Sequence, residues 1–387
     1  MTLSKILFCF SLSFILGVFA ASLVTVEQWL FLELFLLGVG CLAFSGKIKT
    51  AAVWGCCLLV FGFGLWRTSL AFSQPPQQSS AIFFAGTVQW QQKLYRIIQE
   101  RLSAPSDSIL AGVLWGEQKS LSYEWKQKMN ISGTRHITAV SGMNIVLLAG
   151  MLTWLGVALG LWRQQATLAS LVFIWLYISF IGWPASGVRA GIMVSLFLSA
   201  SIFGRQYWAE RAIFLAAALM LLFNPLALSA DLGFQLSFLA SLGLVYCLPF
   251  FQKQLNRIVF LRFFNMAELL AATFSALVLT LPWLVFNFGQ LSLIAPLANV
   301  LVAFLIHVLM ALGFLLTITG FIWPGLADVL AFFCHLGLNY FVVIIDWCSK
   351  APLANVQLFI SWPALVVSYL GLAVWVYKLK RERVWTP

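Results

Sequence analysis

Charge is scarce in this sequence. Of 387 residues, 12 are acidic and 23 basic, so that 9% are charged, where a soluble domain carries roughly a quarter. That excludes an ordinary water-soluble globule, and it excludes an intrinsically disordered chain, which is low in hydropathy and rich in charge. Histidine is as sparse, at positions 136, 307 and 335 alone. The seven cysteines, at 9, 41, 56, 57, 247, 334 and 348, form no CxxC pair and no Cys/His cluster, and nearly all sit in apolar runs as small hydrophobes. Phosphate-cradling GxxxxGK[ST], GxGxxG opening a helix after a strand, and zinc-binding HExxH are all missing, so nothing recognisable binds ATP, a dinucleotide or a metal. No cofactor is expected.

What is present is apolar. Hydrophobic residues make up 62% of the chain and aromatic ones 16%, with a mean hydropathy of +0.96. They are gathered in runs of roughly 20 residues, the length a helix needs to cross about 30 Å of hydrocarbon. Inside lipid each backbone polar group must be satisfied within its own segment, so such runs are helices. They fall at 6–24, 29–44, 51–66, 137–161, 166–181, 188–203, 212–223, 232–250, 267–288, 291–313, 326–345 and 362–377. The expected fold class is an all-α polytopic integral membrane protein with about twelve transmembrane helices, some broken or re-entrant. The stretch 291–326, which contains Pro296 and Asn299, reads either as one long helix or as a re-entrant hairpin followed by a helix. The first run is longer than a signal-peptide core and a second follows almost at once, so it reads as a retained span.

The cations set a topology. The formal charge of +11 comes largely from short gaps between runs. Alternating sides from a cytoplasmic N-terminus puts Lys5, Lys47, Lys49, Arg163, Arg205, Arg211, Lys253, Arg257, Arg262, Lys378, Lys380, Arg381 and Arg383 all inside, with the C-terminus. Three regions follow: a three-helix membrane region at 1–72, a short extracytoplasmic segment at 73–135, and a transmembrane domain at 136–387. In the middle segment Trp90, Leu94, Ile97, Ile98 and Leu102 recur at helical spacing while Lys93, Arg96 and Arg101 lie mostly elsewhere on the wheel. That pattern predicts a helix along the membrane surface. Ser106 is placed to cap a helix running to Gly116, and Ser122 another ending near Gly133. No short-period repeat or inverted symmetry is evident.

Ionisable side chains inside apolar runs cost about 2.5–3.5 kcal/mol each when charged, and with the polar groups beside them they are the functional evidence. One cluster, Gly133-Thr134-Arg135-His136-Ile137-Thr138-Ala139-Val140-Ser141-Gly142-Met143-Asn144, leads into a span; in a continuous helix His136, Val140 and Asn144 share a stripe with Ser141 beside it. A second, Pro184-Ala185-Ser186-Gly187-Val188-Arg189-Ala190, breaks two runs and opens the next with an arginine. The third runs from Asn224-Pro225 to Asp231-Leu232-Gly233-Phe234-Gln235-Leu236-Ser237-Phe238, where Asp231, Gln235 and Phe238 fall on one helical face or Asp231 stands as the N-terminal carboxylate. Packing glue between helices explains such residues equally well one at a time. Together they point to a polar conduit lined by His136, Ser141, Asn144, Arg189, Asp231 and Gln235. Ser141 with His136 or His307 also has the chemistry of an intramembrane nucleophile and base, but the glycine two residues before serine in the GxSG pattern of rhomboid-type proteases is lacking.

In order and surroundings these three motifs resemble the competence domain of ComEC proteins, over roughly Ser106 to Tyr340. Membership implies a channel in the bacterial inner membrane that admits single-stranded DNA to the cytoplasm during natural transformation, with 136–387 as its competence-type domain. It also implies other competence proteins as partners: a DNA receptor, a nuclease, and a cytoplasmic helicase or motor, with a homo-oligomer possible. Here Asn144 stands where the family usually carries a histidine. The stretch 73–106 is far shorter than the family's external OB-fold module, and Pro387 closes the sequence without the metallo-β-lactamase-like module of longer members. The expectation is therefore a channel component and not an enzyme. The alternatives are a secondary transporter of a small or lipid-linked substrate, with His136 and Asp231 binding protons, and an inactive truncated relative.

Overall fold

The computed structural model describes residues 3–23, 28–44, 49–73, 81–116, 120–138, 140, 142–202, 209–258, 266–351 and 354–381. Sixteen helices follow in chain order: α1 (Leu3–Leu23), α2 (Gln28–Phe44), α3 (Lys49–Ser73), α4 (Ala81–Gln99), α5 (Ser106–Trp115), α6 (Tyr123–Ile131), α7 (Gly142–Ala158), α8 (Arg163–Phe180), α9 (Ala185–Ile202), α10 (Ala209–Phe223), α11 (Ala227–Ala230), α12 (Leu232–Leu255), α13 (Met266–Phe288), α14 (Ala295–Ile322), α15 (Pro324–Lys350) and α16 (Trp362–Arg381). A 3-10 turn at Arg135–Ile137 and two short strands, β1 (Gln290–Leu291) and β2 (Val356–Gln357), complete the elements. The strands pair antiparallel, Gln290 opposite Gln357 and Leu291 opposite Val356.

This is a multi-pass, all-α membrane protein. Eight helices among the described residues are long and apolar enough to cross a bilayer, and two shorter apolar ones, within α2 and α9, join them. The last two runs counted from the sequence, α8 and α10, are helices too; α10, with 15 residues, spans only about 22 Å at 1.5 Å per residue. The stretch 291–326 resolves into one continuous helix: β1 ends at Leu291, Pro296 occupies the first turn of α14, where its missing N–H costs nothing, and the helix runs unbroken for 28 residues.

The chain forms two compact units, residues 1–79 with 191–238, and residues 80–190 with 239–387. In the first, α3 packs against both α1 and α2. Backbones approach closely at Gly17 and Gly64: a Cβ on Gly17 would lie 2.2 Å from the Phe61 carbonyl oxygen, and one on Gly64 2.6 Å from that of Phe14. Glycine is thus required for this packing, the small-residue device by which helices associate where lipid supplies no hydrophobic drive. In the second unit α14 and α15 form an antiparallel hairpin: Leu309 packs where a Gly337 Cβ would be, and the Tyr340 hydroxyl donates to the Leu301 carbonyl at 3.3 Å. Against it lies the core of the unit, gathered around α5.

Two features of the middle segment depart from the sequence reading. All ten residues of α5 are buried, including Ser106, Asp107 and Ser108. Pro105 holds the N-cap position and Ser106 is already helical, with no side-chain cap; Gly116 ends the helix in a left-handed conformation, φ 73°. Ser122 does cap α6, accepting from the Trp125 amide at 3.4 Å. In α4 the amphipathic stripe exists, but its C-terminal half is covered by protein: Ile97 and Ile98 are buried, and the Ile97 side chain fills the space beside Gly320 of α14. Trp90 remains 55% exposed, in ring contact with Phe321.

Candidate functional site

The break between α6 and α7 decides where the first cluster goes. Residues 135–137 form a 3-10 turn, Thr138 bends, and α7 does not begin until Gly142. The expected stripe of His136, Val140 and Asn144 along one helix therefore does not form, because the 3.6-residue register is interrupted between the first of these residues and the last. His136 is exposed and its Nδ1 lies 3.1 Å from the Gly133 carbonyl oxygen of its own turn. Asn144, 2% exposed on the first turn of α7, donates through Nδ2 to the Val113 carbonyl oxygen at 3.2 Å. Ser141 lies outside the described residues.

That hydrogen bond belongs to a larger arrangement. The last carbonyls of a helix lack intrahelical partners. In α5 they are taken up by three donors: the Gly116 amide reaches Gly112 at 2.9 Å, Asn144 reaches Val113, and the Tyr177 hydroxyl of α8 donates to Leu114. A buried short helix is thus fastened at its C-terminus to both α7 and α8. Tyr177 and Trp115 add ring contacts, both to Phe314 of α14.

The second cluster meets the first. Ser186, in the first turn of α9, donates to the Val140 carbonyl oxygen at 2.6 Å. Arg189, one turn on and 8% exposed, brings Nη2 to 3.4 Å from the position of a Cβ on Gly142. The N-termini of α7 and α9 and a buried guanidinium therefore converge at Val140 and Gly142. Neither helix has an acidic residue in its first turn. Helix N-termini carry partial positive charge, so the guanidinium adds to that potential where a carboxylate would neutralise it.

The third cluster belongs to the other unit. Asp231 is not part of α12 but precedes it, and its Oδ1 accepts from the Gly233 amide at 2.8 Å and the Phe234 amide at 3.2 Å. Asp231 is therefore the N-terminal carboxylate of α12, and its own carbonyl oxygen accepts from the Gln235 amide one turn on, at 3.1 Å. Gln235 donates through Nε2 to the Leu228 carbonyl oxygen at 2.8 Å, closing the turn between α11 and α12. His136, Asn144 and Arg189 lie in one unit and Asp231 and Gln235 in the other.

Several polar residues stand out in the structure that the three motifs leave out. Arg67, inside α3, caps the end of α10 through Nε to the Leu222 carbonyl at 3.2 Å and Nη2 to that of Phe223 at 3.0 Å; an arginine within an apolar run was the available signal. Asp107, buried near the start of α5, accepts from the Tyr95 hydroxyl at 3.2 Å and the Ser108 hydroxyl at 3.1 Å. Lys128 of α6 pairs with Asp346 of α15 and with Glu124, each at 2.8 Å. These neighbours hold its ammonium charged beyond the ordinary lysine range, Asp346 more than Glu124. No local pattern foretells that pair, because its partners are more than 200 positions apart. A cavity of about 460 Å³, lined by Glu100, Arg101, Ser103, Asp328, Phe332 and His335, opens beside the Arg101–Asp328 ion pair.

Comparison with known proteins fits the ordered motifs. The family model described as "Competence protein" matches residues 113–383, most of the chain. The chain belongs to the competence protein family. All six candidate residues fall within the matched stretch, which begins on α5 at Val113, the residue whose carbonyl Asn144 holds. Among curated proteins, ComE operon protein 3 of Bacillus subtilis (strain 168) is 29% identical over 250 residues. That similarity covers 62% of this chain and 29% of the relative, so the chain corresponds to less than a third of that protein. No solved structure matches it.

Proposed function

We propose that this competence-family protein is a component of the inner-membrane channel through which single-stranded DNA enters the cytoplasm during natural transformation. Its N- and C-termini then face the cytoplasm, as the cation bias requires. The observation that carries the reading is the buried guanidinium of Arg189 where α7 and α9 begin, with no acidic residue in either first turn. A strand bearing one phosphate per nucleotide crosses a bilayer only where hydrocarbon is replaced by water, donors and positive potential. Arg189 is the phosphate contact in this proposal, with His136, Ser141 and Asn144 as the other candidate polar residues of its own unit; Asp231 and Gln235 are candidates in the other unit. Its partners in this proposal are other competence proteins: a DNA receptor, a nuclease, and a cytoplasmic helicase or motor.

The test is Arg189→Ala in a transformable host, with labelled DNA separated into surface-bound and internalised fractions. Losing a charge-assisted hydrogen bond of about 1.5–3 kcal/mol lowers internalisation roughly tenfold to a hundredfold and leaves surface binding unchanged. Arg189→Lys keeps the charge but not the planar fork, and recovers part of the loss. Wild-type internalisation in Arg189→Ala removes that residue from the path.

A further inference from the structure

We propose that one seam of α15 faces water along the membrane span, with His335 and Asn339 as its mid-membrane contacts for hydrated polar solutes. This goes beyond the uptake reading, which uses no residue of α15.

The pattern begins in the sequence of the helix. It has 27 residues and is apolar enough to cross a bilayer. Its ionisable and amide side chains are Asp328, His335, Asn339, Asp346 and Lys350, separated by steps of 7, 4, 7 and 4 residues. Such steps are close to two turns and one, so at roughly 100° per residue all five fall within about 60° of the helical wheel. From Asp328 to Lys350 the stripe is about 33 Å long at 1.5 Å per residue, against roughly 30 Å of hydrocarbon. On one side of it lies the buried face, with Ala331, Leu338 and Ile345; on the other are the exposed Leu336, Val343 and Trp347. The exposed apolar side chains suit lipid, and the polar stripe beside them does not.

Near its two ends the stripe is neutralised. Arg101 holds Asp328 at 2.9 Å, and Lys128 holds Asp346 at 2.8 Å. The middle differs. His335 and Asn339 are both exposed, and neither hydrogen-bonds to a described residue. They lie about 10 and 16 Å along the axis from Asp328, and an imidazole or a carboxamide is too short to snorkel that far to a headgroup. Facing lipid, each would lose its hydrogen bonds to water without replacement. The cavity beside the Arg101–Asp328 pair supplies the alternative. Its lining runs from Glu100, Arg101, Ser103 and Asp328 to Phe332 and His335. Its volume of about 460 Å³ holds several waters, with polar partners on its walls. It therefore connects one end of the stripe to the first mid-membrane group, and Asn339, one turn further, continues the same wetted line toward Asp346.

The experiment is the rate of modification of single introduced thiols by a cationic methanethiosulfonate, which reacts with the thiolate in water. His335→Cys and Asn339→Cys report the seam, and Phe333→Cys and Leu336→Cys report the exposed apolar face at matching depth. Permeabilised cells admit reagent from both sides, peptide masses locate the modified residue, and the parent chain sets the background at Cys334. The seam positions react at least tenfold faster than the apolar-face positions. Equally slow reaction at all four overturns the proposal, whether lipid, a second copy or another helix of the chain covers the stripe. Should a polar substitution prevent folding, Phe332→Cys decides: it removes no hydrogen-bonding group, lines the same cavity and is to be compared with Phe333→Cys. No DNA enters this measurement, so slow labelling together with an uptake defect in Arg189→Ala removes the seam and leaves the uptake reading in place.

Discussion

At the scale of single residues, neutral hydrogen-bonding groups in this protein mostly fasten backbone. Asn144 exchanges water for the Val113 carbonyl, and its burial at 2% exposure leaves no alternative partner in solvent for that oxygen. Asn144→Ala leaves a buried acceptor unsatisfied, and we expect a loss of about 1–3 kcal/mol, read as a lower melting temperature in detergent. An unchanged melting temperature would show that the bond is dispensable. Arg189 differs in kind, as a charged group 8% exposed where the N-termini of α7 and α9 meet. Glycine 133 is the steric counterpart. Its φ of 70° and its contact with Ala295 both exclude a side chain, so Gly133→Ala costs on the order of 1–3 kcal/mol in strain and lowers the amount of folded protein recovered from membranes.

At the scale of elements, the consequential features are breaks. Helix α7 starts at Gly142 instead of continuing from His136, and this is what lets the N-termini of α7 and α9 meet. Outward-facing positions on α7 obey the rules of a lipid-exposed surface. Val146 is 56% exposed, and Val146→Asp introduces a charge worth about 2.5–3.5 kcal/mol against insertion. Reduced abundance in a membrane-fraction blot is the expected outcome; normal abundance would mean that this face is wet. Helix α6 is held by the pairing of Lys128 with Asp346. Because the folded-state pKa of Lys128 is raised, the stability it contributes is complete below the ordinary lysine pKa and disappears as pH rises through the raised value. Thermal unfolding of the parent and of Lys128→Met, compared from pH 8 upward, should differ at the lower end and converge only above about 10.5. A difference of more than about 1 kcal/mol at pH 8 would exceed what a solvent-accessible pair supplies.

At the scale of the whole molecule, the described residues fall into two compact helical units, and the boundaries between them lie within α9 and α12 as well as after residue 79. On the proposed channel reading, internalisation depends on the protein and surface capture does not. Deleting the gene should abolish entry of labelled DNA into a nuclease-protected cytoplasmic fraction while cells still bind DNA at their surface; unaltered transformation would sink the assignment. A loss of proton-coupled solute uptake in Asp231→Asn, with transformation intact, would instead favour a secondary transporter. The hydrogen bonds of Asp231 to the α12 amides make that carboxylate a helix cap in the first instance.

Membrane class, all-helical architecture and most helix positions were legible in residue order alone, because a 20-residue apolar run in lipid has one way to satisfy its backbone. The ordered motifs around His136, Arg189 and Asp231 carried the family in the same way, being local in sequence. Other features depended on partners distant in the chain. Asn144 meets Val113, Tyr177 meets Leu114, Lys128 meets Asp346, and Arg189 comes to rest beside Gly142. Periodicity describes which face of a helix is apolar and is silent on what covers that face. A polar segment such as 97–133 therefore looks external by composition, and only the tertiary structure shows that all of α5 is buried, with Leu110 and Leu114 packed at Gly313 of α14.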